Sequence, residues 1–262
     1  MSSPRLPAEL LDHTVDFLHN SRGTLKSCCL VSKSWTPRAR KHLFAETTFR
    51  TPRQLKSWKT MFPDPSTSPA RYTTFLTIER NLLPTASDAE VGGWIRTFSR
   101  VEHFKINIGR TSNYEYLVAF LGFSPAIKSL RVNFFAFPAS RILDLVLSFP
   151  LLEDLSVTTH TNIEDEQYDG KLTATQSSCS PVFSGSLQLS QMYGIDRIAS
   201  RLLLLPNGLR FRELDLSWMH EDDVSLTREL VEMCRSTLES VSIKNCYVGA
   251  SIFRLRCLRL DQ

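Results

Sequence analysis

The sequence predicts an α/β protein in two parts: an N-terminal module of three short helices, then an α/β solenoid with a parallel, concave sheet. Two observations predict this arrangement. The first is a set of short apolar-periodic segments, separated by polar links, over residues 6–44. The second is a strand-sized apolar pattern that recurs from residue 72 onward, with helix-like segments between its copies.

The N-terminal stretch is expected to form three helices. Pro7 suits the first helical position of the first helix, because proline has no N–H to leave unpaired there. The apolar stripe of this helix consists of Leu11, Val15 and Leu18, with Leu10 and Phe17 on the adjoining row. A second helix follows a cap at Ser21 or Thr24, and a third, basic helix begins at Thr36-Pro37.

These three helices cannot bury all of their apolar surface among themselves. Domains below roughly 40 residues usually need a partner or a crosslink to be stable. Two explanations stay open: the helices dock on the rest of the chain, or part of the apolar stripe binds another protein.

The same stretch resembles the F-box family. The shared pattern is Leu6-Pro7-x-Glu9-Leu10-Leu11, then Leu18, Leu25 and Cys29-Leu30-Val31-Ser32-x-x-Trp35. F-box modules bind the small acidic Skp adaptor of cullin-based ubiquitin ligases, so the resemblance implies an adaptor site. The implied adaptor-binding residues are Leu6, Pro7, Leu10, Leu11, Val15, Leu18, Leu30, Val31, Ser32 and Trp35. Pro37 departs from the family pattern; because proline disfavours helical geometry in the preceding residue, the third helix is expected to start late or to kink.

A second pattern, apolar-x-x-apolar-x-apolar, recurs through the rest of the chain. Its copies are Val101/Phe104/Ile106, Ile127/Leu130/Val132, Leu152/Leu155/Val157, Phe211/Leu214/Leu216, Leu238/Val241/Ile243 and Leu255/Leu258/Leu260, with weaker members Leu76/Ile78 and Leu187/Leu189. Most middle anchors lie 25 to 28 residues apart, although the last interval is only 17. Leucine-rich repeats have periods of about 20–29 residues. Any α/β protein alternates strands and helices, but the near-constant spacing favours a degenerate leucine-rich-like solenoid, as in fungal-type F-box proteins with such repeats.

Helix signals lie between the strand copies. They cover residues 114–121, 141–147, 195–205 and 223–234, and a possible capping box, Ser87-x-x-Glu90, precedes another helix. The acidic stretch 164–170 is expected to be an exposed loop. The predicted domains are therefore an F-box over 1–50, a linker over 51–72 that includes a short helix at 54–61, and a solenoid over 73–262.

Composition narrows the class and the compartment. The 262 residues are 42% hydrophobic and 22% charged, as in ordinary globular proteins. Six cysteines without a C-x-x-C pair indicate a reducing compartment. We expect no signal peptide and no membrane span, because no apolar run reaches about 18 residues. A cytoplasmic or nuclear protein is predicted.

Charge is unevenly distributed. Residues 1–60 hold 11 Lys/Arg against 4 Asp/Glu, a net of +7, whereas the remainder holds 20 against 23, a net of −3. A basic module suits an acidic partner, whether a protein or a nucleic acid. A solvated basic helix face explains the same charges, so charge alone selects no partner.

No enzymatic constellation stands out in the sequence. The six histidines are scattered, and H-E-x-x-H, G-x-S-x-G and P-loop motifs are absent. We therefore predict a protein that is not an enzyme and that has no metal and no cofactor.

The repeats offer a binding face instead. Side chains alternate along a strand, so residues between the buried anchors should line the concave sheet. The predicted substrate-binding residues there are Lys105, Asn107, Arg131, Asn133, Asp154, Ser156, Gln188, Glu213, Asp215 and Lys244. A solvated sheet face would be equally polar.

Together these features favour a non-catalytic substrate-recognition subunit of an SCF-type ubiquitin ligase, with an unknown protein substrate. By the resemblance it binds a Skp-type adaptor and, through it, a cullin. The alternative is a repeat scaffold that works outside any ligase. Nucleic-acid binding by the basic module is disfavoured, and it would show a steep salt dependence.

Overall fold

The computed structural model describes residues 7–79, 93–109, 115–134, 139–159, 181, 183–190, 195–205, 208–217, 224–248 and 251–259. It is an α/β fold with one nine-stranded sheet. The helices with described bounds are α1 Ala8–Phe17, α2 Arg22–Val31, α3 Thr36–Leu43, α4 Pro52–Met61, α5 Glu115–Val118, α6 Ala139–Leu147, α7 Ile195–Leu203 and α8 Val224–Cys234. The strands are β1 Glu46–Phe49, β2 Phe75–Ile78, β3 His103–Ile108, β4 Ser129–Phe134, β5 Asp154–Thr159, β6 Ser186–Ser190, β7 Glu213–Ser217, β8 Ser240–Val248 and β9 Ser251–Arg259.

Three helices form in the N-terminal stretch, as the periodicity predicts. The carbonyl of Pro7 accepts the backbone N–H groups of Leu10 and Leu11 at 3.1 and 3.3 Å, so Pro7 caps α1 rather than opening it. Ser21, one of the two predicted caps, is the residue before α2, but its side chain makes no capping hydrogen bond; its hydroxyl lies 2.7 Å from the Thr24 hydroxyl. The expected late start of α3 is wrong. The backbone of Trp35, the residue before α3, is already helical. Pro37 falls in the first turn of α3, where its missing N–H costs no intrahelical bond.

The strands of the sheet follow one another in chain order from β1 to β9. β1 to β8 are parallel, and each described strand pairs only with its neighbours along the chain. The predicted anchors are aligned in register: Leu76, Phe104, Leu130, Leu155, Leu187, Leu214 and Val241 face one another across successive strands. The apolar pattern therefore marked both the strands and their register.

The connections between strands carry the predicted helices. Helices α5 to α8 begin and end within three residues of the ranges expected from the sequence. The candidate capping box at Ser87 and the acidic stretch 164–170 lie outside the described residues. Residues 93–95, which follow the capping box, are helical.

The last strand corrects the repeat assignment. β9 pairs with β8 in the antiparallel direction, so the final apolar triplet is not a further parallel repeat. Only residues 249 and 250 separate the two strands. A parallel pair needs a crossover of about a dozen or more residues, whereas an antiparallel pair can be joined by about two. The short interval of 17 residues between the last anchors was the sequence signal for this reversal.

The stretch between α3 and β2 contains more structure than a linker composition indicates. Glu46–Phe49 forms β1, which pairs in parallel with β2 and was not predicted. Helix α4 covers the short helix expected there. Thr51 caps it by accepting the Gln54 N–H at 3.4 Å, while the Gln54 side chain accepts the Arg50 N–H at 2.7 Å. Leu55 of α4 is buried in the main core.

The main core lies between the sheet and the helices. It combines every second residue of the strands with apolar residues of α4 and α5 to α8. Aromatic rings fill its N-terminal half: the Phe104 ring lies 5.7 Å from that of Phe120 and 5.0 Å from that of Phe123. The alternate strand residues point away from this core and, where described, are exposed or half-buried except Thr77 of β2.

The N-terminal helices are joined directly to the edge of the sheet. Only Phe44 and Ala45 separate α3 from β1. The Thr73 hydroxyl donates to the Phe44 carbonyl at 2.9 Å, and the Phe44 ring packs edge-on against Trp58 at 5.8 Å and Phe62 at 6.2 Å. The helices and the sheet therefore share packed contacts at this junction.

Candidate functional site

The N-terminal helices have a small core of their own. Its buried residues are Val15, Leu25, Cys28, Ala39 and Leu43, and Leu18, Cys29, Trp35 and Phe44 pack around them while half-buried. Helix α3 packs against both α1 and α2. This core orients the helices, and so it fixes which apolar side chains remain outside.

A charged cluster joins α1 to α3. The Arg38 Nε donates to Asp16 Oδ1 at 2.6 Å, and a second guanidinium nitrogen pairs with Asp16 Oδ2. The His42 Nε2 lies 2.7 Å from the same Oδ1. The hydrogen bonds from Arg38 and then His42 hold the pKa of the Asp16 carboxyl far below its usual range. Asp16 is therefore a carboxylate at neutral pH, and Arg38 is not a free basic group for an external partner.

Two further bonds hold α2 against α3. The Thr36 hydroxyl lies 3.1 Å from the carbonyl oxygens of Cys29 and Ser32, at the end of α2. The Arg22 guanidinium, at the start of α2, donates to the Leu43 carbonyl, at the end of α3, at 3.3 Å. The end of α2, which carries Leu30 and Val31, is thereby anchored.

Four large apolar side chains of these helices remain exposed. Leu10 and Phe17 on α1 are 51% and 83% exposed, and Leu30 and Val31 at the end of α2 are 88% and 70% exposed. Leu10 and Phe17 are seven residues apart, which places them on the same side of α1 two turns apart. We call these four residues the helical apolar surface. Burying such a side chain contributes about 1.5–3 kcal/mol.

The sequence-predicted adaptor residues divide into exposed and supporting ones. Pro7, Leu10, Leu30 and Val31 are exposed, while Leu11, Leu18, Ser32 and Trp35 are half-buried. Val15 is only 1% exposed, so it supports the surface from within the helical core. Leu6 lies outside the described residues. Phe17 was placed on the adjoining row of the stripe but not among the site residues, although it is one of the most exposed.

A second surface is the sheet face turned away from the core, which we call the polar face. All ten predicted substrate-binding residues lie on it: Lys105 and Asn107 of β3, Arg131 and Asn133 of β4, Asp154 and Ser156 of β5, Gln188 of β6, Glu213 and Asp215 of β7, and Lys244 of β8. Their side chains are exposed or half-buried, and on β3 to β7 they alternate with buried anchors. The alternation follows from the two-residue period of a strand.

Hydrogen bonds run across the polar face between neighbouring strands. The Asn133 amide donates to Asn107 Oδ1 at 2.7 Å, and the Asn107 amide donates to Glu79 at 2.5 Å. The Ser156 hydroxyl donates to Gln188 at 2.8 Å. Asp154 Oδ1 accepts both the backbone N–H and the hydroxyl of Ser186 at 2.7 and 2.8 Å. Much of this face is therefore ordered by its own side chains.

Charges on the polar face are separated along the sheet. Lys105 and Arg131 are opposite each other on β3 and β4. Glu213 and Asp215 lie on β7, where Asp215 accepts the Lys244 ammonium at 2.9 and 3.1 Å. β3 and β4 thus carry two cations, flanked by Glu79 after β2 and Asp154 on β5, whereas β7 and β8 carry charges of both signs.

Other kinds of site are not evident in the described part of the chain. Within it, no group of three or more His, Cys, Asp or Glu side chains is arranged to hold a metal ion. No described helix combines the length and apolar character needed to cross a membrane. Cys28, Cys29 and Cys234 are free thiols, and burial raises the pKa of Cys29 and Cys234.

Comparison with known proteins adds no assignment: no protein-family model matches the chain, and no curated protein matches it.

Proposed function

We propose that this chain is a non-catalytic substrate-recognition subunit of an SCF-type cullin-RING ubiquitin ligase. In this proposal residues 1–50 are an F-box that binds a Skp-type adaptor, and the sheet with its helices holds a protein substrate. The observation that carries the proposal is the helical apolar surface. It lies on the three-helix stretch whose residues resemble an F-box, and Leu10, Leu30 and Val31 of that resemblance are exposed there.

The proposed architecture of the larger part is a leucine-rich-like solenoid. Strands in strict chain order, each paired with its sequence neighbours, support this reading. In a parallel sheet, successive right-handed crossovers in one direction place all connecting helices on the same side. The opposite face is then continuous and open, as a platform for a protein requires.

Catalysis in such a complex comes from proximity. The receptor contributes no reacting group; it raises the effective concentration of a substrate lysine near a transferring enzyme that is bound elsewhere in the ligase. The direct connection of α3 to β1, with Phe44 packed against Trp58, supports this role because it holds both surfaces in one packed unit. The proposed compartment is cytoplasmic or nuclear.

A pull-down with a purified Skp-type adaptor tests the adaptor site. We expect the intact chain to retain the adaptor, and we expect Leu10→Asp together with Leu30→Asp to abolish retention, because charges would replace apolar contacts. Leu204→Asp is the matched control, since Leu204 is 81% exposed on the other part of the chain. No retention by the intact chain, or equal retention by the double variant, would refute the proposal.

Ubiquitin transfer separates this function from that of a scaffold outside a ligase. The complete ligase should modify a bound substrate only when the chain is present and its helical apolar surface is intact. Adaptor binding without transfer to any captured protein would favour the scaffold.

A further inference from the structure

Lys105 and Arg131 form an unusual pair on the polar face. They face each other directly in the register of β3 and β4, and strands in a sheet lie about 4.8 Å apart. Like charges directly opposite each other destabilise a sheet. A fold that keeps two cations in this position therefore carries a local electrostatic cost.

The carboxylates of the described neighbouring strands do not relieve this cost. Within the described part of the chain, neither Lys105 nor Arg131 forms a hydrogen bond or an ion pair, whereas Lys244 on the same face is paired with Asp215. Asp154, on the strand next to β4, directs Oδ1 to the Ser186 backbone and hydroxyl. Glu79 accepts the Asn107 amide. These two acidic groups of the described residues thus have hydrogen-bond partners other than the two cations.

Further groups around the cations are suited to a peptide. The exposed Phe75 ring, 38% accessible, stacks on the His103 ring at 5.7 Å with an angle of 27° between planes. His103 is two residues before Lys105 on the same face of β3, and Phe75 is opposite it on β2. An apolar or aromatic side chain can pack on this stack while an anionic neighbour reaches the cations.

We propose that this part of the polar face, formed by Phe75, His103, Lys105 and Arg131, binds an acidic segment of the protein partner. A carboxylate or phosphate of that segment supplies the negative charge that the described residues leave out between β3 and β4. An arginine offers paired donors to either group, and a lysine adds a point charge. This inference rests on the proposed function, in which the polar face holds a protein substrate, and names the chemistry of that substrate.

An oriented peptide library tests the inference on the full-length chain without adaptor. Three libraries share randomised flanks and differ in a fixed central residue: glutamate, phosphoserine or glutamine. We expect the chain to enrich the two anionic libraries roughly tenfold over the neutral one, since a charged hydrogen bond has that effect on affinity. The preference should decline as salt is added, because the site is exposed.

Variants assign the preference to the two cations. Lys105→Ala together with Arg131→Ala should lose the anionic preference, and Lys128→Ala, a lysine paired with Glu102 outside the predicted binding residues, should retain it. Stronger enrichment of phosphoserine would identify the anion as a phosphate, stronger enrichment of glutamate would identify it as a carboxylate, and equal enrichment would show that the site accepts either.

Three results would overturn the inference: no anionic preference, a preference that survives in the double variant, or tighter binding of a labelled single-stranded oligonucleotide through the same residues. The adaptor pull-down on the same double variant should be unchanged. If the intact chain does not retain the adaptor, the proposed function alone is refuted, whatever the peptide preference.

Discussion

Replacing Asp16 by Asn should loosen the N-terminal helices. The substitution keeps the side-chain shape but removes the charge that pairs with Arg38 and lies beside His42. Because Asp16 is on α1 and both partners are on α3, the loss falls on the contact between these helices. The helical apolar surface depends on that contact for its geometry, since Leu10 and Phe17 are on α1.

The expected fall in the free energy of unfolding lies between two limits. Hydrogen bonds to charged groups contribute about 1.5–3 kcal/mol when they are well shielded, and exposed ion pairs contribute about 0.2–1 kcal/mol. The side chains of Asp16 and Arg38 are 31% and 33% exposed. We therefore expect the free energy of unfolding to fall by about 1 kcal/mol, closer to the exposed limit.

The effect should depend on pH in one direction. The folded-state pKa of Asp16 is lowered by Arg38 and His42. A lowered pKa contributes stability that is fully present above the unfolded value of about 3.9 and is lost as pH falls through the folded value. The difference between the native chain and Asp16→Asn should therefore be constant near neutral pH and shrink below about pH 4.

Urea unfolding combined with hydrogen exchange measures this effect. Peptides from α1 and α3 should exchange faster in Asp16→Asn, while peptides from β3 to β5 should not change. Asp12→Asn is the matched control, because Asp12 is an exposed carboxylate one turn earlier on α1. Equal effects of the two substitutions, or a difference that persists at the lowest pH, would refute the role given to the cluster.

Three further predictions concern packing and charge. Leu25→Ala should lower the free energy of unfolding by about 2–5 kcal/mol, because Leu25 is fully buried in a small core, and limited proteolysis should then cut near the N-terminal helices; resistance equal to that of the native chain would contradict this. Arg131→Gln should instead stabilise the chain by about 0.2–1 kcal/mol in thermal unfolding, by removing the repulsion from Lys105, and a loss of stability would contradict it. Gly185→Ala should destabilise by about 1–3 kcal/mol in urea, since its new Cβ would lie 2.2 Å from Asp154 Oδ1 and force that oxygen off its hydrogen bonds; an unchanged midpoint would show that Asp154 moves without cost.

The sequence predicted most of the parallel sheet because its signal is local. Anchors such as Leu130 and Leu155 recur at a near-constant interval along the chain. Because alternate residues of each strand are buried, a slip of one residue would expose them, which leaves little choice of register. The direction of β9 and the existence of β1 were missed for a different reason. Pairing direction depends on the length of the connection, and Glu46–Phe49 is too short to show a period by itself.

The candidate surfaces could be predicted only in part. Periodicity placed Val15 on the apolar stripe and Phe17 on the adjoining row, but it could not show that Val15 is buried while Phe17 is 83% exposed. That division depends on where α3 packs, which is a tertiary contact. Arg38 and Asp16, which form an ion pair, are likewise 22 residues apart in sequence. The sequence therefore did not show that Arg38 of the basic helix already has a partner within the chain.

The regular spacing of β3 to β8 also sets the length of an extended segment that could lie across these strands. Six strands about 4.8 Å apart span about 24 Å, the length of about seven residues of extended chain. Arg131 on β4 and Asp215 on β7 are three strands apart, or about 14 Å, which corresponds to about four residues of such a chain. Asp215 is already paired with Lys244, so of these two charges only Arg131 is unpaired among the described residues. On the proposed function, an acidic residue of the bound segment would lie at β3 and β4, and about four further residues of extended chain would reach β7.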